Sequence, residues 1–134
     1  MIGRSELRIV CCADASSVRL LRHALRSFLD VFALERDLLE DILMASGEVL
    51  SNAVEHGCDE SGRSNLELIA RGGKGDTLAI EVSDEGEFVE RGRLPNRGFG
   101  LGIARAIANN VTVKTGRGTR VEMTFEPSRA RQFR

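Results

Sequence analysis

Apolar and polar positions along the chain change period several times, and each change marks an element. Residues Leu7 to Ala13 are rich in β-formers with partial alternation, which predicts a strand. Asp14 and Ser16 then supply capping chemistry for a helix over 17–32, with Val18, Leu21, Leu25, Phe28 and Leu29 on one face. A break near Ala33 and Leu34 precedes a longer helix over 35–55. Its apolar positions Leu39, Ile42, Leu43, Val49, Leu50 and Ala53 recur at helical spacing. Gly57 fits the position just past its end.

After a polar loop over 58–63 the period drops to two. Leu66, Leu68 and Ala70 alternate with polar neighbours, residues 72–76 make a glycine-rich turn, and Leu78, Ile80 and Val82 alternate in a return strand. Residues 84–97 read as a loop. A short alanine-rich helix over 101–109 follows, then a second hairpin from 111–115 and 119–125 around Gly116-Arg117-Gly118. The order β-α-α-β-β-loop-α-β-β groups helices together and joins strands by tight turns. It predicts an α+β fold: a two-layer sandwich with helices on one face of a mostly antiparallel sheet. No repeat or linker divides it, so residues 1–127 form one expected domain, and the Arg-rich stretch 128–134 an expected disordered tail.

Composition narrows the function classes. The chain has 134 residues, enough to bury a core without disulfide or metal staples. Its formal net charge of −1, with no Trp and no Tyr, argues against a general nucleic-acid binder. No apolar run is long enough to span a membrane, and residues 1–5 lack the apolar core of a secretory signal, so a cytoplasmic location is expected. Cys11, Cys12 and Cys58 fit neither a disulfide framework nor zinc spacing. They read as small buried side chains, with Cys11 and Cys12 on opposite faces of their strand.

Three clusters carry candidate chemistry. In the long helix Glu48, Asn52 and His56 recur every four residues and form a polar stripe beside the apolar face. An amide oxygen there is a hard ligand for Mg²⁺, and a carboxylate one turn away can orient or deprotonate a hydroxyl. Asp84-Glu85-Gly86 ends a strand, where a carboxylate can accept from a donor such as the adenine amine. Arg97-Gly98-Phe99-Gly100-Leu101-Gly102 runs into a helix, and closely spaced glycines there let backbone N–H groups approach phosphate. Taken singly, these read as a solvated helix face, a turn and a flexible loop. The glycine stretch lacks the Lys-Ser/Thr of a Walker loop and does not open a βαβ unit.

Together, in this order and on these elements, the clusters resemble the N, G1 and G2 boxes of the GHKL ATPase superfamily. The form Glu-x3-Asn-Ala-x2-His and the length of the chain resemble its small anti-sigma-factor serine kinases. The resemblance implies ATP and Mg²⁺ as cofactors, with Asn52 on the metal and Glu48 as general base. It places Asp84 and Gly86 at adenine, and Gly98, Gly100 and Gly102 at the phosphates, flanked by Arg97 and Leu101. His56 is expected to pack or hydrogen-bond rather than react. The box is incomplete in one respect, because Phe88 stands where many members have a second glycine. Arg91, Arg93 and Arg97 in the loop read equally as phosphate-facing and as solvated.

The implied reaction is transfer of the ATP γ-phosphate to a serine of a STAS-domain anti-anti-sigma factor. The implied cycle alternates that partner with a sigma factor on a homodimeric kinase, without direct nucleic-acid or membrane contact. The main alternative is a nucleotide-binding module that sequesters a partner without phosphotransfer. Glu48 favours the kinase, since a scaffold needs no carboxylate there. The catalytic half of a histidine kinase is a weaker alternative, because no phosphoacceptor helix pair precedes the stripe.

Overall fold

The computed structural model describes residues 4–57, 64–73, 76–85 and 99–127, with the backbone alone at His56, Gly57, Phe99 and Gly100. The elements follow the expected order: β1 (Ser5–Cys12), α1 (Ala15–Asp30), α2 (Arg36–Gly57), β2 (Asn65–Gly72), β3 (Leu78–Asp84), α3 (Phe99–Ile107), β4 (Asn110–Gly116) and β5 (Gly118–Phe125). The five strands form one antiparallel sheet in the order β1-β2-β3-β5-β4. The fold is α+β, as the pattern predicts.

Local chemistry explains where α1 starts. Asp14 is its extended N-cap, accepting from the Ser17 backbone N–H at 3.0 Å and from the Ser16 hydroxyl at 2.5 Å. The Ser17 hydroxyl donates to the Cys12 carbonyl, which ties the helix start to the end of β1. Those hydrogen bonds to the charged form, from Ser16 first and the Ser17 backbone next, hold the Asp14 carboxyl below its ordinary range. At the other end the chain turns out of α1 through Ala33, whose φ of +52° is left-handed. Helix α2 runs on through Gly57 instead of stopping just before it.

The core lies between the helices and one face of the sheet. Leu21, Leu25 and Leu29 of α1 and Ile42, Val49 and Leu50 of α2 meet Leu66, Leu68, Ile80, Val82, Met123 and Phe125 from the strands. Helix α2 is the central pillar: it packs against α1 on one side, α3 on the other, and β2, β3 and β5 beneath.

The opposite sheet face carries cross-strand ion pairs, Arg71–Glu6 at 2.8 Å, Arg8–Glu67 at 3.9 Å and Arg120–Glu81 at 3.7 Å. Ile69 also points to this face yet is only 4% exposed, because its register partners Arg8 and Glu81 stand on either side. Cys11 faces the helices and packs on the core, while Cys12 faces the other way. The opposite-face expectation holds, but burial is only partial for Cys11 and fails for Cys12, which as the last residue of an edge strand is exposed. Cys58 and the tail 128–134 lie outside the described residues.

Candidate functional site

The predicted residues fall on three elements around α2. Glu48 and Asn52 are both half-buried and one turn apart on that helix. Neither is a freely solvated side chain, which weakens the bland reading of the stripe. The His56 side chain lies outside the described residues.

Asp84 closes β3. It has the same strand parity as Leu78, Ile80 and Val82, so its half-buried side chain belongs to the face that the helices cover. Its cross-strand partners are Leu66 on β2 and Thr119 on β5. Thr119 shares the inward parity of Val121, Met123 and Phe125 and is half-buried beside the carboxylate. A hydroxyl next to a carboxylate can share one donor or bridge it through water. Sequence reasoning missed Thr119, because only the pairing of β3 with β5 brings it opposite Asp84.

That pairing also explains Gly118. It has a φ of +99°, and a Cβ there would lie 2.1 Å from the Asp84 carbonyl oxygen. The close approach of two backbones fixes the end of β3.

Helix α3 begins at Phe99, so Gly100, Leu101 and Gly102 form its first turn. Leu101 is half-buried against the core and anchors this turn. Gly102 is exposed, and a Cβ built there would meet nothing within 4 Å among the described residues. A glycine inside a helix costs roughly 0.5–1 kcal/mol relative to alanine. Neither packing nor a positive φ accounts for Gly102 here. Its position fits a surface approached closely by a ligand, beside the N–H groups of a helix start, which have no acceptor within their own helix. Gly86, Arg91, Arg93, Arg97 and Gly98 lie outside the described residues.

The sequence of residues 11–125 matches the family model described as the histidine kinase-like ATPase domain. The chain belongs to that family. Histidine kinase-like ATPase domains bind ATP, and the glycines in the first turn of α3 and the carboxylate at the end of β3 suit such a ligand.

Solved structures agree on the fold of this histidine kinase-like ATPase domain. One is the structure of the RsbU and RsbW domains of Rv1364c from Mycobacterium tuberculosis, at TM-score 0.75 and 24% identity. It matches over 91% of this chain and 32% of that one. The histidine kinase domain of the Erythrobacter litoralis EL346 blue-light activated histidine kinase matches at TM-score 0.57 and 26% identity, over 69% of this chain and 46% of that one. A second structure of the EL346 kinase gives 0.60 and 25%, over 72% and 32%. The chain thus spans between about a third and a half of these longer chains. Among the described residues no helix is long and apolar enough to cross a membrane.

Proposed function

We propose that this ATP-binding, kinase-like domain is a protein-serine kinase that also acts as an anti-sigma factor. The observation that carries the reading is the placement of Glu48 and Asn52, half-buried one turn apart on the central helix. Asp84 ends a strand beneath that helix on the same side of the sheet.

In this reading Asp84 accepts a hydrogen bond from the adenine amine, with Thr119 beside it. The first turn of α3 offers its N–H groups to the phosphates. Asn52 would hold Mg²⁺ through its amide oxygen, and the ion neutralises charge on the triphosphate when bound. Mg²⁺ is usually held by one or two protein groups, with substrate phosphates and waters supplying the other ligands. Glu48 takes the proton from the acceptor serine hydroxyl. The serine oxygen forms its bond to the γ-phosphorus as the bond to the β–γ bridging oxygen breaks. That oxygen keeps the electron pair, and ADP leaves.

The acceptor is proposed to be a STAS-domain anti-anti-sigma factor. The unmodified partner occupies the kinase, and the added phosphate charge releases it so that a sigma factor can bind, on a homodimer. The likeness to an RsbU and RsbW domain structure supports this direction. Incubating the chain with γ-labelled ATP, Mg²⁺ and a cognate STAS protein is the test. Label should appear on a serine of the STAS protein and be absent with Glu48→Ala. Tight nucleotide-dependent association without label transfer would instead make the chain a sequestering module.

A further inference from the structure

Helix α1 carries Arg19, Arg22, His23 and Arg26 at the i, i+3, i+4, i+7 spacing of a single helix face. They line a 420 Å³ trough whose floor reaches Leu43 of α2. A neighbouring 260 Å³ cavity shares Val18, Arg22 and Leu43 with it and is lined along α2 by Gly47 and Glu48. Among the described residues, no ion pair engages any of these four basic groups. The three arginines are therefore a local concentration of positive charge without a salt-bridge partner among the described residues, on a chain whose net charge is −1.

Arg22 stands between the two cavities and lines both. Its Nε lies 3.0 Å from the place a Cβ would occupy on Gly47, so its stem crosses α2 at the residue before Glu48. Gly47 leaves the room that this crossing requires. The two cavities together consequently have a polarity, with cations along α1 and the candidate general base Glu48 lining the second.

We infer that this trough seats the acceptor segment of the protein substrate, with the hydroxyl toward Glu48 and acidic residues of the same segment against Arg19, Arg22, His23 and Arg26. The inference rests on the kinase reading above and names the chemistry of its substrate. The row from Arg19 to Arg26 runs about 10 Å along the helix. That is about three residues of extended peptide, a short acidic run beside the acceptor serine. A nucleic-acid backbone fits less well, because Glu40 and Glu48 in the neighbouring cavity would repel a continuous line of phosphates.

The test reads binding and does not depend on phosphotransfer. The full chain, loaded with Mg²⁺ and a non-hydrolysable ATP analogue, is titrated with serine-centred peptides bearing Asp and Glu or their Asn and Gln counterparts. The acidic series should bind about tenfold more tightly at low salt. Salt should erode that preference, Arg19→Glu with Arg26→Glu should abolish it, and Arg19→Lys with Arg26→Lys should retain it. Affinity for the ATP analogue should stay unchanged in both double variants. Equal binding of the two series, or a preference that survives charge reversal, overturns the inference. So does a single-stranded oligonucleotide that outcompetes the acidic peptides. Failure of the wild-type chain to bind the ATP analogue would instead count against the kinase reading.

Discussion

The carbonyl oxygen of Asp84 occupies the space where a side chain on Gly118 would begin, 2.1 Å from the ideal Cβ position. Because the obstacle is backbone, it cannot swing aside as a flexible side chain could. Gly118 also sits at a φ of +99°, where an L-residue is strained by roughly 1–2 kcal/mol. Gly118→Ala should therefore lower thermal stability and displace the end of β3. If Asp84 reads adenine, ATP affinity should fall roughly tenfold, the loss of one charge-assisted hydrogen bond. Calorimetry on the folded variant checks this; an unchanged affinity would separate Gly118 from the ligand site.

Glu48 and Asn52 are assigned different tasks, so their variants should fail differently. Glu48→Gln should keep ATP binding near the wild-type value and slow serine phosphorylation by about 10²–10⁴-fold. Asn52→Ala should lose the Mg²⁺ dependence of nucleotide affinity. Titrations with and without Mg²⁺, paired with a labelled-phosphate assay, distinguish the two losses.

The helix cap makes a pH prediction. Hydrogen bonds from the Ser16 hydroxyl and the Ser17 backbone N–H lower the folded carboxyl of Asp14 relative to the unfolded chain. A lowered folded value adds stability above the unfolded pKa, and that contribution disappears as pH falls through the folded value. Asp14→Ala should thus reduce the melting temperature most near neutral pH. Below about pH 4 the gap between variant and wild type should close progressively. Melting curves across that range check the sign.

Ala33 turns the chain between α1 and α2 at a φ of +52°, a conformation that glycine adopts without strain. It is exposed, so a substitution there disturbs no packing. Ala33→Gly should stabilise the chain by about 1 kcal/mol, read as an upward shift in a urea midpoint.

What the sequence disclosed about this fold was local. The Asp14 cap, the helical face of Leu21, Leu25 and Leu29 at four-residue spacing, and the two hairpins each follow from neighbours a few residues apart. The strand order does not, because no turn dictates that β5 inserts between β3 and β4. Thr119 and the Asp84–Gly118 approach stayed hidden for that reason. The α1 cations were invisible as a group because basic residues at helical spacing look like any solvated face. Only the packing of α1 on α2 joins them to Glu48. Gly57 and Cys12 failed on smaller grounds: a helix can run on through a glycine, and an edge strand leaves its outer side chains uncovered. Of the candidate site, the stripe on α2, Asp84 and the glycines of α3 could be read from residue type and spacing. The half-burial of Glu48, Asn52 and Asp84, and the sheet face on which Asp84 meets the helices, could not.

The adenine contact proposed for Asp84 is tested directly in a titration calorimeter. Folded wild-type chain in Mg²⁺ should bind ATP saturably and at least about tenfold more tightly than GTP, whose carbonyl would face the Asp84 carboxylate. With Asp84→Ala, circular dichroism should show intact structure while that preference collapses. Equal affinity for the two nucleotides in the wild type, or an ATP preference that persists in Asp84→Ala, would contradict the assignment.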